Sequence, residues 1–281
     1  MTGTAKVIKS SPEEMELSQL STLKVEPNVI GLGDNLPPEE MLKLATEVGF
    51  SNICQRQGFE FDRELRSSQS MVESPESFRE FPVASIFKPE SLNQKTESEF
   101  LLMNEQFSSS LQKRPVLSTL LSTLEAKGLS QTMTEDVTAV ADEFFTNAIF
   151  NAPFVDAKTQ RNPGISRQET EIKYNDGRFS RLFLASDNTR LVIGCADPFG
   201  TLDLKLYLNK VKATYLRGPA ATMNFGPGGA GLGSYIIFNT GSSLFFGVWP
   251  RQATVLCCVI PLGMSYRKRI QLPKHLHWIQ R

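Results

Sequence analysis

The sequence has few of the features that mark secreted, membrane-spanning or nucleic-acid-binding proteins. Its four cysteines form no CxxC pair, and neither of its two histidines lies near them in sequence, which argues against a zinc site or a disulfide framework. Basic and acidic residues both number 30, so no global field draws the chain to nucleic acid or acidic lipid. No window approaches the roughly 20 apolar residues that cross a bilayer, and the N-terminus lacks an apolar signal region. We therefore expect a soluble, cytoplasmic protein with cysteines that are small apolar residues: Cys54, Cys195, Cys257 and Cys258.

The order of local patterns divides the chain into three parts. Residues 1–95 form an N-terminal extension with a polar lead-in and a receiver-like β-α-β fragment: LKVEPNVIGLG predicts a strand, PPEEMLKLATEVGF a helix capped by Gly49, and SNICQ a second strand. Residues 58–80 are charged and Ser-rich with little periodicity, which predicts a linker or mobile loop. Residues 96–265 form the main domain. Residues 266–281 are a basic tail that we expect to be a surface or partner-docking element.

The main domain has the pattern of an α+β fold. ESEFLLMNEQFSSSLQ and RPVLSTLLSTLEAKG have the apolar spacing of helices, and TEDVTAVADEFFTNAIFNAP predicts the strongest helix, from an N-cap at Thr134 to Pro153. FSRLFLAS and TRLVIGCA predict a β-hairpin, and LGSYIIFNTG predicts a short helix before two closing strands, SLFFGVWP and ATVLCCVIPL. This order implies a two-layer α/β sandwich with helices on one face of the sheet.

Two patches of polar residues stand out within this pattern. Glu143, Asn147 and Asn151 are spaced by four on the strongest helix, so they project along one stripe, as residues of a solvated polar face also do. Asp197 ends an apolar strand and is followed by Gly200. A buried aspartate at a strand end can accept a hydrogen bond from an exocyclic amine, and a glycine lets a flat ring lie against the backbone.

A third patch, GPGGAGLGS, is rich in glycine and precedes a predicted helix. Successive N–H groups at such a helix start can face phosphate oxygens, although a plain flexible loop has the same composition. Gly226, Gly228 and Gly231 also spell G-x-G-x-x-G, but no apolar strand precedes them and no acid follows at the distance that binds a ribose. The sequence has no G-x-x-x-x-G-K-[ST] motif either.

Together these patches resemble the motifs of GHKL ATPases, the superfamily that includes gyrase, histidine kinases and anti-sigma-factor serine kinases. VADEFFTNAIFNAP resembles their N box, GCADPFG their first glycine box and GGAGLGSYIIF their second, over residues 100–262. The E-x-x-x-N-A-I pattern is closest to the anti-sigma-factor serine kinase branch. The resemblance implies a Bergerat-type ATP-binding fold, with ATP and Mg²⁺ as ligands.

The resemblance also implies a role for each site residue. Glu143 would be catalytic, orienting or deprotonating the attacking hydroxyl or water, and Asn147 would hold Mg²⁺. Asp197 would bind the adenine amine beside Gly200. The other nucleotide-binding positions would be Asn151, Gly229, Gly231, Gly233 and Thr254. Residues 203–228 would form the lid, in which Lys210, Lys212 and Arg217 either contact the γ-phosphate or are solvated charges.

The sequence departs from the family pattern at two points. Phe199 occupies the place where the first glycine box usually has its first glycine. The only histidines, His275 and His277, lie at the C-terminal end of the sequence rather than on a helix before the ATP-binding domain, which argues against histidine autophosphorylation. Their basic surroundings also argue against a Ser-His-Asp triad.

We therefore expect a bacterial regulatory protein that transfers the γ-phosphoryl of ATP to a Ser or Thr of a partner protein. The alternative is a non-catalytic signalling module in which nucleotide, or the fold alone, gates partner binding through lid closure. Neither reading needs a membrane or nucleic acid, and a homodimer is one possible assembly.

Overall fold

The computed structural model describes residues 6–9, 25, 29–153, 171–174, 177–218 and 232–281, with backbone only for 6–9 and 232. Its strands form one mixed sheet in the order β1-β2-β3-β9-β7-β8-β6-β5-β4. The first three pair in parallel, β9 runs antiparallel to β3 and parallel to β7, and the remaining pairs are antiparallel. The strands are β1 (Lys6–Lys9), β2 (Val29–Gly33), β3 (Asn52–Gln55), β4 (Leu101–Phe107), β5 (Ser180–Ser186), β6 (Arg190–Asp197), β7 (Ser243–Trp249), β8 (Ala253–Pro261) and β9 (His275–Gln280).

Helices cover this sheet, which confirms the predicted α+β class. None of the helices in the described ranges is long and apolar enough to cross a membrane. The helices are α1 (Pro38–Lys43), α2 (Phe61–Glu73), α3 (Pro75–Glu80), α4 (Pro82–Phe87), α5 (Gln94–Phe100), α6 (Lys113–Ala126), α7 (Gln131–Thr146), α8 (Leu204–Arg217), α9 (Leu232–Thr240) and α10 (Tyr266–Arg269). Turns of π-helix follow α1 (Leu44–Val48) and α7 (Asn147–Asn151), and a 3-10 turn (Ser110–Gln112) precedes α6.

The predicted β-α-β fragment is present as β2, α1 and β3. Pro37 and Pro38 at the start of α1 have no N–H group that would need an acceptor, and Gly49 ends its π turn with φ +94°, a conformation that L residues with a Cβ rarely adopt. The parallel pairing of β2 with β3 continues through β9 into the rest of the sheet. The N-terminal fragment therefore extends the same sheet that carries the main-domain strands.

Helices lie on both faces of the sheet, so the prediction of helices on one face is wrong. Side chains of β5 alternate: Leu182 and Leu184 join the main core with α1 and α6–α9, whereas Phe183 and Ala185 pack with α2–α4. The second helical layer comes from residues predicted to be a linker. The buried face of α2 consists of Glu64, Ser67, Ser68, Met71 and Val72, so polar residues take most of the positions that are usually apolar in a buried helix face.

Other predictions for the main domain hold, with two local corrections. Helices α6, α7 and α9, the β5–β6 hairpin and the closing strands β7 and β8 are present. Residues 101–107 form edge strand β4, paired with β5, rather than a continuation of the helix before them. Helix α7 begins earlier than predicted, because Ser130 rather than Thr134 is its N-cap and accepts a 3.3 Å hydrogen bond from the Met133 amide.

The prediction that residues 266–281 lie on the surface is wrong for the last strand. β9 lies inside the sheet between β3 and β7, and both of its histidines are fully buried. Two basic residues before it are also buried with partners: Arg269 pairs with Asp136 at 2.6 Å, and Lys274 donates to the carbonyls of Asn239 and Gly241. The positive charge of this segment is thus partly satisfied inside the fold.

Candidate functional site

A carboxylate and two amides are linked at the end of helix α7. Asn147 Nδ2 donates to Glu143 Oε1 at 3.0 Å, and Asn151 Nδ2 donates to Asn147 Oδ1 at 2.6 Å. The helix changes to a π turn at Asn147, a local form that occurs frequently at functional sites. The opposite side of α7 is anchored in the core by Ala141 and Phe145. The three polar side chains are therefore held in a fixed row by a buried helix.

Asp197 lies at the C-terminal end of β6, directly opposite Thr254 of β8. Its Oδ1 accepts hydrogen bonds from the amides of Phe199 at 2.9 Å and Gly200 at 3.4 Å. Burial raises the pKa of Asp197 to about 6, although both amides and the Thr254 hydroxyl favour the ionised form. A desolvated carboxyl of this kind is suited to accept a hydrogen bond from a bound ligand.

The polar row at the end of α7 and the pair Asp197–Thr254 border one cavity of about 250 Å³. Apolar walls with a few convergent polar groups are the usual composition of small-molecule sites. The polar side of the cavity consists of Glu143, Thr146, Asn147, Asn151, Asp197, Thr201, Asp203, Tyr207, Lys210, Ser234 and Thr254. The apolar side consists of Phe144, Ala148, Ala152, Cys195, Leu202, Leu206 and Leu256.

Gly233, at the start of α9, packs directly against the Glu143 side chain. A Cβ at position 233 would collide with the Glu143 carboxyl group, so this close approach requires glycine. The other two predicted phosphate-binding glycines, Gly229 and Gly231, lie outside the described residues. Of the glycine-rich patch, the structure therefore relates only Gly233 to the predicted catalytic carboxylate.

Phe199 and Gly200 both lie beside the cavity without lining it. The Phe199 ring is buried, packs edge-on against Tyr174 at a centroid distance of 4.9 Å, and lies under the guanidinium group of Arg178. Gly200 has φ +63°, and a Cβ there would collide with the carbonyl of Trp249. The departure from the family pattern at Phe199 therefore puts no bulk into the cavity, and the tight turn gives a structural reason for Gly200.

The predicted lid begins with helix α8, and the structure describes the lid up to residue 218. Its lysines have different surroundings. Lys210 lines the cavity, whereas Lys212 Nζ lies 2.9 Å from Glu47 and 3.0 Å from the hydroxyl of Thr46 in the π turn after α1. Arg217 lies in the last turn of α8. Lys210 is the lysine placed to meet a ligand in this cavity.

Several cavity residues were missed by reasoning from the sequence, although local spacing identifies them once the motifs are known. Cys195 precedes Asp197 by two on β6 and so faces the same side. Tyr207 precedes Lys210 by three on α8, and burial, with a smaller contribution from Glu143, raises its pKa above the ordinary value. Ser234 follows Gly233 on α9.

Comparisons with known proteins give one distant structural likeness. No protein-family model matches the chain, and none of the curated proteins matches it. A chain from the crystal structure of the SiaB–SiaC complex of Pseudomonas aeruginosa is similar, with 18% sequence identity and a TM-score of 0.43. That match covers 59% of this chain and 94% of the other. At this level the likeness carries no argument, so function must be inferred from the cavity.

Proposed function

We propose that the chain has a GHKL-type domain with a Bergerat-type fold, which binds Mg²⁺-ATP in this cavity. It then transfers the γ-phosphoryl group to a Ser or Thr of a regulatory partner protein. The observation that carries the proposal is the meeting of distant segments: the row from Glu143 to Asn151, Asp197 with Thr254, and Lys210 all border the same cavity.

Asp197 supports a purine amine as the recognised group. Its carboxyl is held in place by two amides, and the pocket beside it is lined by Cys195, Leu206 and Leu256. An acceptor beside an apolar slot fits the exocyclic N–H₂ and flat ring of adenine. A cavity of about 250 Å³ holds the base rather than the whole nucleotide, so the phosphates would extend beyond it.

The row at the end of α7 fits Mg²⁺. Carboxylate and amide oxygens are the hard donors that Mg²⁺ prefers, and Glu143, Asn147 and Asn151 offer only such donors and amide N–H groups. Asn147 Oδ1 accepts a hydrogen bond from Asn151 and, as a carbonyl oxygen, has a second lone pair for a metal. When bound there, Mg²⁺ would neutralise phosphate charge and hold the phosphate oxygens in position.

Glu143 is the proposed proton acceptor. The hydroxyl oxygen of the partner attacks the γ-phosphorus, the bond to the β–γ bridging oxygen breaks, ADP leaves, and the hydroxyl proton passes to Glu143. Asn147 positions the carboxylate through its 3.0 Å hydrogen bond, and Gly233 confines it from the other side. Lys210 offsets negative charge on the phosphates.

Mg²⁺-ATP binding to the full chain tests the site, measured by calorimetry and by thermal shift. We expect Asp197→Asn to weaken ATP binding at least about tenfold, the effect of losing one matched hydrogen bond to a charged group. Wild-type protein that shows neither binding heat nor a thermal shift with Mg²⁺-ATP would refute the site. Unchanged affinity in Asp197→Asn would refute the adenine assignment.

Glu143→Gln tests the catalytic role, with Asp142→Asn as the matched control. Asp142 is the neighbouring acid on α7 but pairs with Lys113 at 2.8 Å and does not line the cavity. We expect Glu143→Gln to keep ATP binding and to lose ADP formation and Ser/Thr phosphorylation of source-organism proteins, scored by phosphosite mass spectrometry. Equal activity in Glu143→Gln and Asp142→Asn would contradict the role of Glu143.

One contact favours a second candidate, a nucleotide-gated module without catalysis. Helix α8 provides Leu206, Tyr207 and Lys210 to the cavity and also binds the N-terminal β-α-β fragment through Lys212 and Glu47. Nucleotide in the cavity would thereby bias the position of that fragment. Two results together would favour the nucleotide-gated module. Wild-type protein would bind Mg²⁺-ATP without hydrolysing it, and nucleotide would change the rate at which proteases cut the N-terminal fragment in wild-type protein but not in Lys212→Ala.

A further inference from the structure

A second cluster of reactive side chains lies on the other face of the sheet, under helix α2. Cys54, His275 and His277 are buried, and each offers a ligand atom within 4.8 Å of those of the other two. Glu64 of α2 is also buried, and its Oε2 lies 3.5 Å from His277 Nε2. Residues from two neighbouring elements, β3 and α2, therefore meet residues of β9, about 210 positions further along the chain, at one buried point.

Strand pairing explains why these residues meet. β3 and β9 are antiparallel, with Asn52 opposite His277 and Ile53 opposite Leu276. This register places Cys54 opposite His275, and the two-residue period of strands turns Cys54 and both histidines to one face. Ile53 and Leu276 point to the other face and join the main core.

Several atoms of the cluster that could bind a metal have no hydrogen-bond partner. Both ring nitrogens of His277 and both carboxyl oxygens of Glu64 are buried and have no hydrogen-bond partner. An unpartnered buried polar atom costs about 1–3 kcal/mol, and more when it is charged. His275 is oriented by one neighbour: its Nδ1 accepts from the Gln55 amide at 3.1 Å, and its buried Nε2 has no hydrogen-bond partner.

The surrounding charges leave an excess negative charge at Glu64. Arg190 forms its close ion pairs with Asp187 at 2.9 Å and Glu60 at 3.1 Å, and Arg63 pairs with the same two acids. The two arginines and these two acids thus balance one another. Glu64 lies 3.9 Å from Arg190, so it shares a cation that is already paired. The cluster is suited to accept an additional positive charge.

We propose that Cys54, His275, His277 and Glu64 bind a divalent metal ion of the Zn²⁺ class. One thiolate, two imidazoles and one carboxylate are the donor types that Zn²⁺ takes in tetrahedral sites. Zn–N and Zn–S bonds of about 2.0–2.3 Å place neighbouring ligand atoms about 3.3–3.8 Å apart, so shifts on the order of 1 Å bring the observed atoms into range.

Binding would change the existing contacts in a defined way. The metal would replace the Gln55 amide at His275 Nδ1, which now lies 3.1 Å away, while the close approach of Gly58 to the other side of the ring keeps His275 oriented. Gly58 is adapted to this approach, because a Cβ there would collide with His275. Four protein ligands leave no open position, so the ion would be structural and would join β9, β3 and α2.

Metal content of the full-length protein tests the proposal. We expect about one zinc per chain after purification without chelator. In chelator-treated protein we expect Co²⁺ to restore a tetrahedral spectrum with a thiolate-to-cobalt charge-transfer band. Cys54→Ala and His277→Gln should lose at least about nine-tenths of the metal. Cys257→Ala, which removes another buried thiol outside the cluster, should keep it.

The outcomes separate a metal site from a buried ion pair. Wild-type protein without metal and without a thiolate–cobalt band at saturating Co²⁺ would overturn the proposal, leaving Glu64 and His277 as an ion pair only. Equal metal loss in Cys257→Ala would also overturn it. If Cys54→Ala does not fold, the cobalt band of wild-type protein still decides, since it requires a coordinated thiolate. Glu64→Gln should weaken Co²⁺ binding at least about tenfold, and no weakening would remove Glu64 from the ligand set.

Discussion

Replacing Asp197 with asparagine should stabilise the ligand-free protein, and the gain should depend on pH. Burial holds the pKa of Asp197 at about 6 in the folded chain, about two units above its ordinary value of 3.8. Between about pH 4 and 6 the unfolded chain therefore ionises first, and the folded state loses stability as the pH rises. Each unit of pKa shift is worth about 1.4 kcal/mol, so above pH 6 the ionised carboxyl lowers the free energy of unfolding by about 2–3 kcal/mol. We expect the lower value, because the side chain is partly accessible to solvent.

Asparagine removes the ionisation and keeps most of the contacts. Its carbonyl oxygen can still accept from the Phe199 and Gly200 amides, and its size is the same. We therefore expect Asp197→Asn to have nearly wild-type stability below about pH 4. Above about pH 6 the free energy of unfolding should be about 2–3 kcal/mol higher. In the same variant Mg²⁺-ATP affinity should fall, the combination expected where a binding site costs stability.

Urea unfolding followed by circular dichroism at pH 4, 5, 6 and 7.5 measures this difference. Asp142→Asn, which removes an acid outside the cavity, is the control and should change stability by less than about 0.5 kcal/mol at each pH. The reasoning is refuted if Asp197→Asn is less stable than wild type at pH 7.5, or if its gain is the same at every pH. Either result would mean that burying the ionised Asp197 carboxyl does not lower the stability of the folded protein.

Three further substitutions test individual contacts of the site. Lys210→Ala should raise the Kd for Mg²⁺-ATP several-fold in calorimetry, whereas Lys212→Ala should leave it within about twofold, because only Lys210 lines the cavity; equal effects would contradict this placement. Gly233→Ala should lower stability by about 1–3 kcal/mol and should also slow ADP formation, because the added methyl group displaces the Glu143 side chain. An unchanged rate of ADP formation would show that the position of this carboxylate does not matter. Phe199→Leu should lower the melting temperature but not ATP affinity, because its ring packs outside the cavity, and a tenfold loss of affinity would contradict that.

The elements with strong periodicity were predictable from the sequence. Helix α7 has an apolar face in which Val137, Val140 and Phe144 recur at helical spacing, and β5 and β6 alternate or are continuously apolar because both faces of the sheet are covered. The spacing of Glu143, Asn147 and Asn151 was equally visible, since a helix converts spacing directly into a shared face. In these places local pattern and tertiary packing agree.

Prediction failed where polar residues are buried. Helix α2 presents Glu64, Ser67 and Ser68 to the interior beside Met71 and Val72, so most of its inward face is polar. Strand β9 is surrounded in sequence by basic residues, yet His275 and His277 are buried by pairing with β3 and β7. The pairing of β9 with β3 joins residues more than 200 positions apart in the chain, and no local window contains that information.

The two proposed sites should be energetically separable, because β9 sends its side chains to opposite faces of the sheet. Leu276 packs in the main core, on the side of the cavity residues Cys195 and Leu256, whereas His275 and His277 face α2. Removing the metal should therefore lower the melting temperature, since the ion joins β9 to β3 and α2 only in the folded chain. It should change the Kd for Mg²⁺-ATP by less than about threefold, measured by calorimetry on metal-free and zinc-reloaded protein. A tenfold change restored by zinc would mean that the sheet transmits the metal's effect across its thickness, and the two sites would then have to be treated as one coupled system.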